Sequence, residues 1–269
     1  MDELSSQQVT IDDPYWTRQL ETNSSQAIYH QWEQLETSGC IDNFRIAAGE
    51  LESFREGFFF ADSDAYKWLD AGARIYATKP NPRLAQLMDR FISLVGRAQD
   101  PDGYLFTYNQ ILFPDTRWQN LWIEHELYCH GHLIEAGVSH FLATQQTNLL
   151  DIARKAAERI MADFRDKGPE FTSGHEEIEI ALLRLYEITG GRSYLEMAQQ
   201  FLEQRGKTTP LSYTISIIRQ IRSVASRLSQ VRKERERYLA EHADYPPKKL
   251  PPGNFAKSTS TSYLRWLVR

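Results

Sequence analysis

The chain has 269 residues, enough for one large domain or two modest ones around a sizeable core. Its composition, 41% hydrophobic and 25% charged, is that of a soluble globular protein. No apolar run approaches the roughly 20 residues needed to span a bilayer, so no membrane partner is expected. The net charge of −5 hides an asymmetry: residues 207–269 hold 13 basic and 4 acidic side chains, against 18 and 32 in residues 1–206. That contrast predicts two units, 1–206 and 207–269, in different environments. The opening MDELSSQQVT lacks a basic stretch followed by an apolar one, so no secretory leader is expected. Cys40 and Cys129 cannot build a disulfide framework and are expected as reduced thiols, which points to the cytoplasm.

Residues 1–60 read as a leading segment with one helix, capped at Asn23, carrying Ile28, Trp32 and Leu35, and stopped by Gly39. A hairpin pattern then recurs. Asp62-Ser63-Asp64 opens a helix with Tyr66, Leu69, Ala73 and Tyr76 on one side; it closes at Lys79-Pro80-Asn81-Pro82, and a return helix spans about 83–98. Leu84, Leu87, Phe91 and Val95 form the inward face of that return helix. The turn Asp100-Pro101-Asp102-Gly103 leads into an aromatic stretch, up to Trp122, without helical period. The second hairpin opens at Ile123-Glu124-His125-Glu126 and turns after Thr144; the third opens at Ser173–Glu177 and turns at Thr189-Gly190-Gly191. Unequal spacing of Thr78, Thr144 and Thr189 excludes a strict solenoid and favours a barrel of hairpins with functional loops. Residues 211–241 read as a basic helix striped by Ile215, Ile218, Ile221, Val224, Leu228 and Val231, followed by a Pro-rich extended tail. Aromatic residues are not interleaved with this Lys/Arg run, and no recognised motif accompanies it, so nucleic acid is not an expected partner.

In a barrel of hairpins the first helices run parallel and share one rim. That rim gathers Asp62, Asp64, His125, Glu126, His175, Glu176 and Glu177, with Tyr104, Tyr108, Trp118 and Trp122 in nearby loops. Acids, imidazoles and aromatic rings at one mouth suit a carbohydrate, whose hydroxyls bond to the first two and whose ring faces stack on the third. The acids have a plainer reading as helix caps, and Ser173 with Glu176 even spells a capping box. The histidines are less easily dismissed: a cationic His opposes the dipole at a helix N-terminus, so His125 and His175 are expected to be neutral, and they are candidates to line the site, with a purely structural role as the other reading. His125, Cys129 and His132 fall on one helical face, but the spacing of His125 and His130 is one residue too long for the zinc-protease motif. With no fourth ligand, no metal is expected here.

Several ordered segments resemble the catalytic domain of glycoside hydrolase family 127, the non-reducing-end β-L-arabinofuranosidases. They are Tyr15-Trp16, IDNFRIAAGEL (41–51), DSDAYKWLDA (62–71), RAQDPDGYL (97–105), HELYCHGHLIEA (125–136), GHEEIEIALLRLYEITG (174–190) and YLEMAQQFLEQRG (194–206). The resemblance implies an all-α fold: an incomplete (α/α)6 barrel of helical hairpins, ending before the rest of the barrel and the β-sandwich domains. It implies retaining hydrolysis of L-arabinofuranosides in the whole enzyme, through a zinc-bound cysteine nucleophile and an acid/base glutamate. The sugar-contacting histidines of the family match His125 and His175, while Glu176 stands where relatives carry proline. The family's Glu-x-Cys and Cys-Cys motifs match nothing here, so no catalytic residue, metal site or cofactor is expected within this chain, and zinc belongs to full-length relatives. The expected partners are an L-arabinofuranoside-like carbohydrate and the remaining C-terminal part of the same enzyme. The alternative is a non-catalytic helical scaffold that binds sugar or protein.

Overall fold

A computed structural model describes residues 8–242. Eleven α-helices occur among them, and no strand. The helices are α1 (Pro14–Thr22), α2 (Ile28–Thr37), α3 (Cys40–Ala47), α4 (Ala61–Thr78), α5 (Pro82–Ala98), α6 (Thr107–Leu112), α7 (Glu126–Thr144), α8 (Asn148–Phe164), α9 (Ile178–Thr189), α10 (Arg192–Gln204) and α11 (Pro210–Glu241). Three hairpins, α4/α5, α7/α8 and α9/α10, form the wedge of an incomplete helical barrel. α7 packs between α4 and α9, so these three make the inner layer, with α5, α8 and α10 outside.

Local chemistry explains the hairpins. Asn81 Oδ1 accepts from the amides of Arg83 (2.8 Å) and Leu84 (3.3 Å), and Pro82 supplies a preset φ at the first helical position of α5. At the two later turns a threonine hydroxyl works twice. Thr144 Oγ1 donates to His140 O and accepts from Gln146 N, and Thr189 Oγ1 does the same with Leu185 O and Gly191 N. Each fixes the hydroxyl on a carbonyl of its own last turn and ties the first amide beyond the turn, which starts the return. The inward residues of α5, from Leu84 to Val95, are buried with Tyr66, Trp68 and Leu69 of α4 in one core; a second core joins α7, α8, α9 and α10. Burying one such side chain stabilises the fold by about 1.5–3 kcal/mol.

The leading segment departs from expectation. Asn23 caps nothing: the helix starts at Pro14, capped by Asp13, and passes through a π-helical turn at Asn23–Ala27 into α2. A further helix, α3, follows Gly39 and buries Ile41 and Phe44 against α4 and α5. Apolar spacing over eight residues is too short to reveal such an element. α6 likewise lies inside the stretch that showed no period.

α11 extends the basic helix expected from the sequence, with a split stripe. Ile221, Val224, Leu228 and Val231 pack into a third cluster with Phe59, Tyr108, Phe113 and Ile123, whereas Ile215 and Ile218 are exposed. Two of its arginines reach back to the segments ahead of α7 and α4: Arg227 pairs with Glu124 and Arg235 with Glu56. The Pro-rich tail beyond residue 242 lies outside the described residues.

Candidate functional site

The starts of α4, α7 and α9 meet at one rim, where His125 and His175 come together. Their rings lie 4.3 Å apart between centroids, and Nε2 of one is 2.6 Å from Nε2 of the other. His125 occupies the N-cap position of α7 with φ of 62°, a left-handed conformation that costs a non-glycine residue about 1–2 kcal/mol. Its Nδ1 contacts Ile123 O. A carbonyl only accepts, so Nδ1 carries the proton and Nε2 presents a lone pair; His175 Nε2–H is then the donor between the rings. Burial holds His125 down at about 4, and His175 and Lys67 push the same way, so its ring is neutral at pH 7.

Two neighbours explain the unusual backbone. Glu124 and Glu126 flank His125, and both are fully buried. Glu126 accepts from Tyr104 Oη, from Asn109 Nδ2 at 3.2 Å and from the Trp118 amide at 2.8 Å. Burial pushes its carboxyl up to about 8 although these donors oppose the rise. Glu124 is held by Asn120 Nδ2 at 3.0 Å and by Arg227. With its neighbours tied inward on either side, His125 faces the mouth.

His175 sits in a loop rather than on a helix. α9 begins at Ile178, so Ser173 and Glu176 form no capping box; Ser173 Oγ instead accepts from His175 N at 3.2 Å. Arg205, just past α10, donates to Ser173 O (2.9 Å) and His175 O (3.2 Å) and pairs with Glu179. Gly174 lets this loop lie on its neighbour, for a Cβ there would fall 2.4 Å from Trp122 O.

Several side chains expected at the mouth serve the interior instead. Asp62 is fully buried and accepts from Thr107 N and Oγ1, both at 2.6 Å, with Arg55 3.8 Å away. Neither a cap nor a rim acid, it ties α4 to α6. Tyr104 and Tyr108 are buried. Trp118 packs among Tyr104, His130 and Phe164 and donates to Asp163. Trp122 stands against Tyr213 of α11. The rings around the imidazole pair are Phe59, Phe60 and Tyr128. Of these, Phe60 and Tyr128 are partly exposed, and Lys67 lies over the Tyr128 ring. Tyr128 was findable, one helical turn from His125; Phe60 was not, because only the tertiary fold brings it near.

The face of His125, Cys129 and His132 does not converge on an ion. Cys129 is sealed near Phe60 O, Cys40 contacts Ala61 O, and burial pushes both thiols far up, so neither offers a thiolate to the zinc of the family resemblance. Among the described residues, one group of ligand atoms does converge: His132, Glu135 and Glu177, all within 4.8 Å of one another. Within it His132 Nδ1 lies 3.0 Å from Glu177 and Arg184 holds Glu135 at 2.9 Å, while His132 Nε2 and Glu177 Oε1 are buried without a hydrogen-bond partner.

A wedge of helical hairpins with two facing imidazoles between aromatic walls defines the rim of an incomplete α/α barrel. Sequence comparison narrows this: the profile of the β-L-arabinofuranosidase GH127 catalytic domain matches residues 8–245, and the chain belongs to that family. It is 37% identical over 227 residues to a non-reducing end β-L-arabinofuranosidase of Bifidobacterium longum subsp. longum, covering 74% of this chain and 34% of that protein. The fold is similar to the crystal structure of a GH127 β-L-arabinofuranosidase from Geobacillus stearothermophilus T6, with TM-score 0.74, 44% identity, and coverage of 80% and 34% of the two chains. A second GH127 β-arabinofuranosidase structure gives TM-score 0.71 and 33% identity, with coverage of 77% and 34%. The chain thus spans about a third of the length of these relatives.

Proposed function

We propose that this chain forms the sugar-contacting rim of a β-L-arabinofuranosidase, with His125 and His175 binding the hydroxyls of an L-arabinofuranoside. The observation that carries this reading is the 2.6 Å contact between their Nε2 atoms. One imidazole offers a lone pair and the other an N–H, aimed at a common point. A sugar hydroxyl is both donor and acceptor, so it can enter between them, donating to His125 and accepting from His175. The inter-ring hydrogen bond is replaced by two equivalent bonds, and no buried polar group is left bare. Phe60 and Tyr128 would cover the apolar face of the sugar ring.

Hydrolysis needs a nucleophile and an acid/base partner, and we assign neither to this chain. Glu126 is raised as an acid/base group should be, but it is fully buried beneath His125 and its oxygens are taken by interior donors. Bond cleavage, and the zinc implied for full-length relatives, belong in this reading to the C-terminal part of the enzyme. Calorimetric titration with L-arabinose tests the reading. Wild type should bind, and His125→Ala and His175→Ala should each weaken binding at least tenfold, since each removes a bond without a substitute. Binding that is absent, or indifferent to both substitutions, would favour the scaffold alternative.

A further inference from the structure

We infer that Arg227 is a positioning residue for His125, so that α11 is a working part of the site. The inference rests on the sugar-contacting reading of His125 and adds a group that touches no sugar. Arg227 lies 103 positions beyond its partner yet is 7% exposed, with its guanidinium donating to Glu124 and stacked 4.8 Å over the Phe113 ring. Glu124 is next to His125, and its carboxylate has one further donor, Asn120 Nδ2. The segment is also held from α11 by Gln220 Oε1, which accepts from Trp122 N at 3.0 Å, and by Ser223, 3.2 Å from Asn120 Nδ2.

The chain of effect is short. His125 keeps its left-handed φ because residues 120–126 are tied down on both sides. Without Arg227, the Glu124 carboxylate is a buried charge with one amide, so it takes up a proton or turns to solvent. Either change loosens Glu124 and lets His125 relax to negative φ. The ring then leaves Ile123 O, and the lone pair at Nε2 is no longer fixed. Arg205 plays the corresponding part for His175 by holding two carbonyls of its loop.

Imidazole nitrogen NMR at pH 7 reads this directly, because protonated and bare ring nitrogens resonate far apart. Wild type should show His125 with Nδ1 protonated and Nε2 bare. Arg227→Met should move the majority of the population to the Nε2–H form, Arg227→Lys should restore the wild-type pattern at least in part, and substitution of the exposed Arg222 by Ala should change nothing. A folded Arg227→Met protein with the wild-type His125 tautomer overturns the inference. Should that variant fail to fold, Glu124→Gln replaces it: it keeps an oxygen for Arg227 but drops the charge. It should shift the tautomer less and in the same direction, and an unchanged pattern there also overturns the inference. L-Arabinose titration of the same samples separates the two readings. A switched tautomer with undiminished arabinose affinity supports the positioning role and defeats the sugar-contacting one.

Discussion

A methyl group added at Gly131 sets two effects of opposite sign against each other. Within α7, glycine to alanine should stabilise the helix by about 0.8–1.0 kcal/mol. The new Cβ would lie 2.6 Å from Glu177 Cγ and 3.2 Å from the backbone at Glu177 and Ile178. The first distance is about 1 Å short of the roughly 3.5–4.0 Å carbon contact optimum. Swinging the Glu177 carboxylate aside gives no relief, because Cγ lies close to the main chain and the backbone of Glu177 and Ile178, at the start of α9, itself stands 3.2 Å from the new Cβ. Relief requires the start of α9 to move, at an overpacking cost of about 1–3 kcal/mol. The steric effect wins, leaving Gly131→Ala less stable by about 1 kcal/mol, or roughly 2–4 °C in Tm for a chain of this size. Gly96 supplies the control. There a Cβ meets only the side chain of Ile152, its mobile Cδ1 end at 3.2 Å and Cγ1 at an ordinary 3.8 Å. Gly96→Ala should therefore raise Tm. Thermal melts by circular dichroism with calorimetry decide the matter, and a Gly131→Ala protein that melts above wild type would refute the packing reasoning. The same displacement carries His175 from His125, so arabinose affinity should fall in Gly131→Ala and hold in Gly96→Ala.

Asp62→Ala removes the charge opposite Arg55, whose side chain is 1% exposed, and should cost about 3–5 kcal/mol as a broken buried pair; denaturant unfolding would show it, and a loss under 1 kcal/mol would contradict it. Stability should also depend on pH in two opposed ways. His125, His130 and His132 are each held down at about 4 by burial, so unfolded chains bind protons that the folded chain refuses, and stability falls as pH drops from 6.5 toward 4. Glu126, raised to about 8, keeps its proton in the fold after the unfolded chain has lost it, so stability falls as pH rises from about 4.5 to 8. Glu126→Gln should flatten that second limb by up to about 1.4 kcal/mol per pH unit, and unfolding curves of unchanged slope would count against the assignment. Cys40 and Cys129 are buried with raised thiols, so native protein should react with a thiol reagent only on unfolding; one fast-reacting equivalent would contradict the structure.

The hairpins were legible because their signals are local. Apolar residues three and four apart choose the buried face of α5, and a threonine one turn from its carbonyl partner marks where the chain reverses. Pairing His125 with His175 also followed from sequence, because parallel inner helices must bring their N-termini to one rim. What the residues of Glu124-His125-Glu126 do was not legible. All three read as polar, and the acids resembled caps, because sequence spacing assigns a side chain to a helical position without saying what covers it. Burial is set by residues far along the chain, such as Arg227 over Glu124 and Tyr104 under Glu126, and it turns two apparent surface acids into interior anchors. The same limit misplaced Tyr104, Tyr108 and Asp62 at the mouth and overlooked Phe60. By itself, then, the sequence determined the hairpin helices and their order, the family and the two imidazoles, but not the short α3 and α6. The tertiary structure decided which way each side chain of the rim faces, because orientation depends on backbone angles such as the left-handed turn at His125, and those are held by contacts between distant residues.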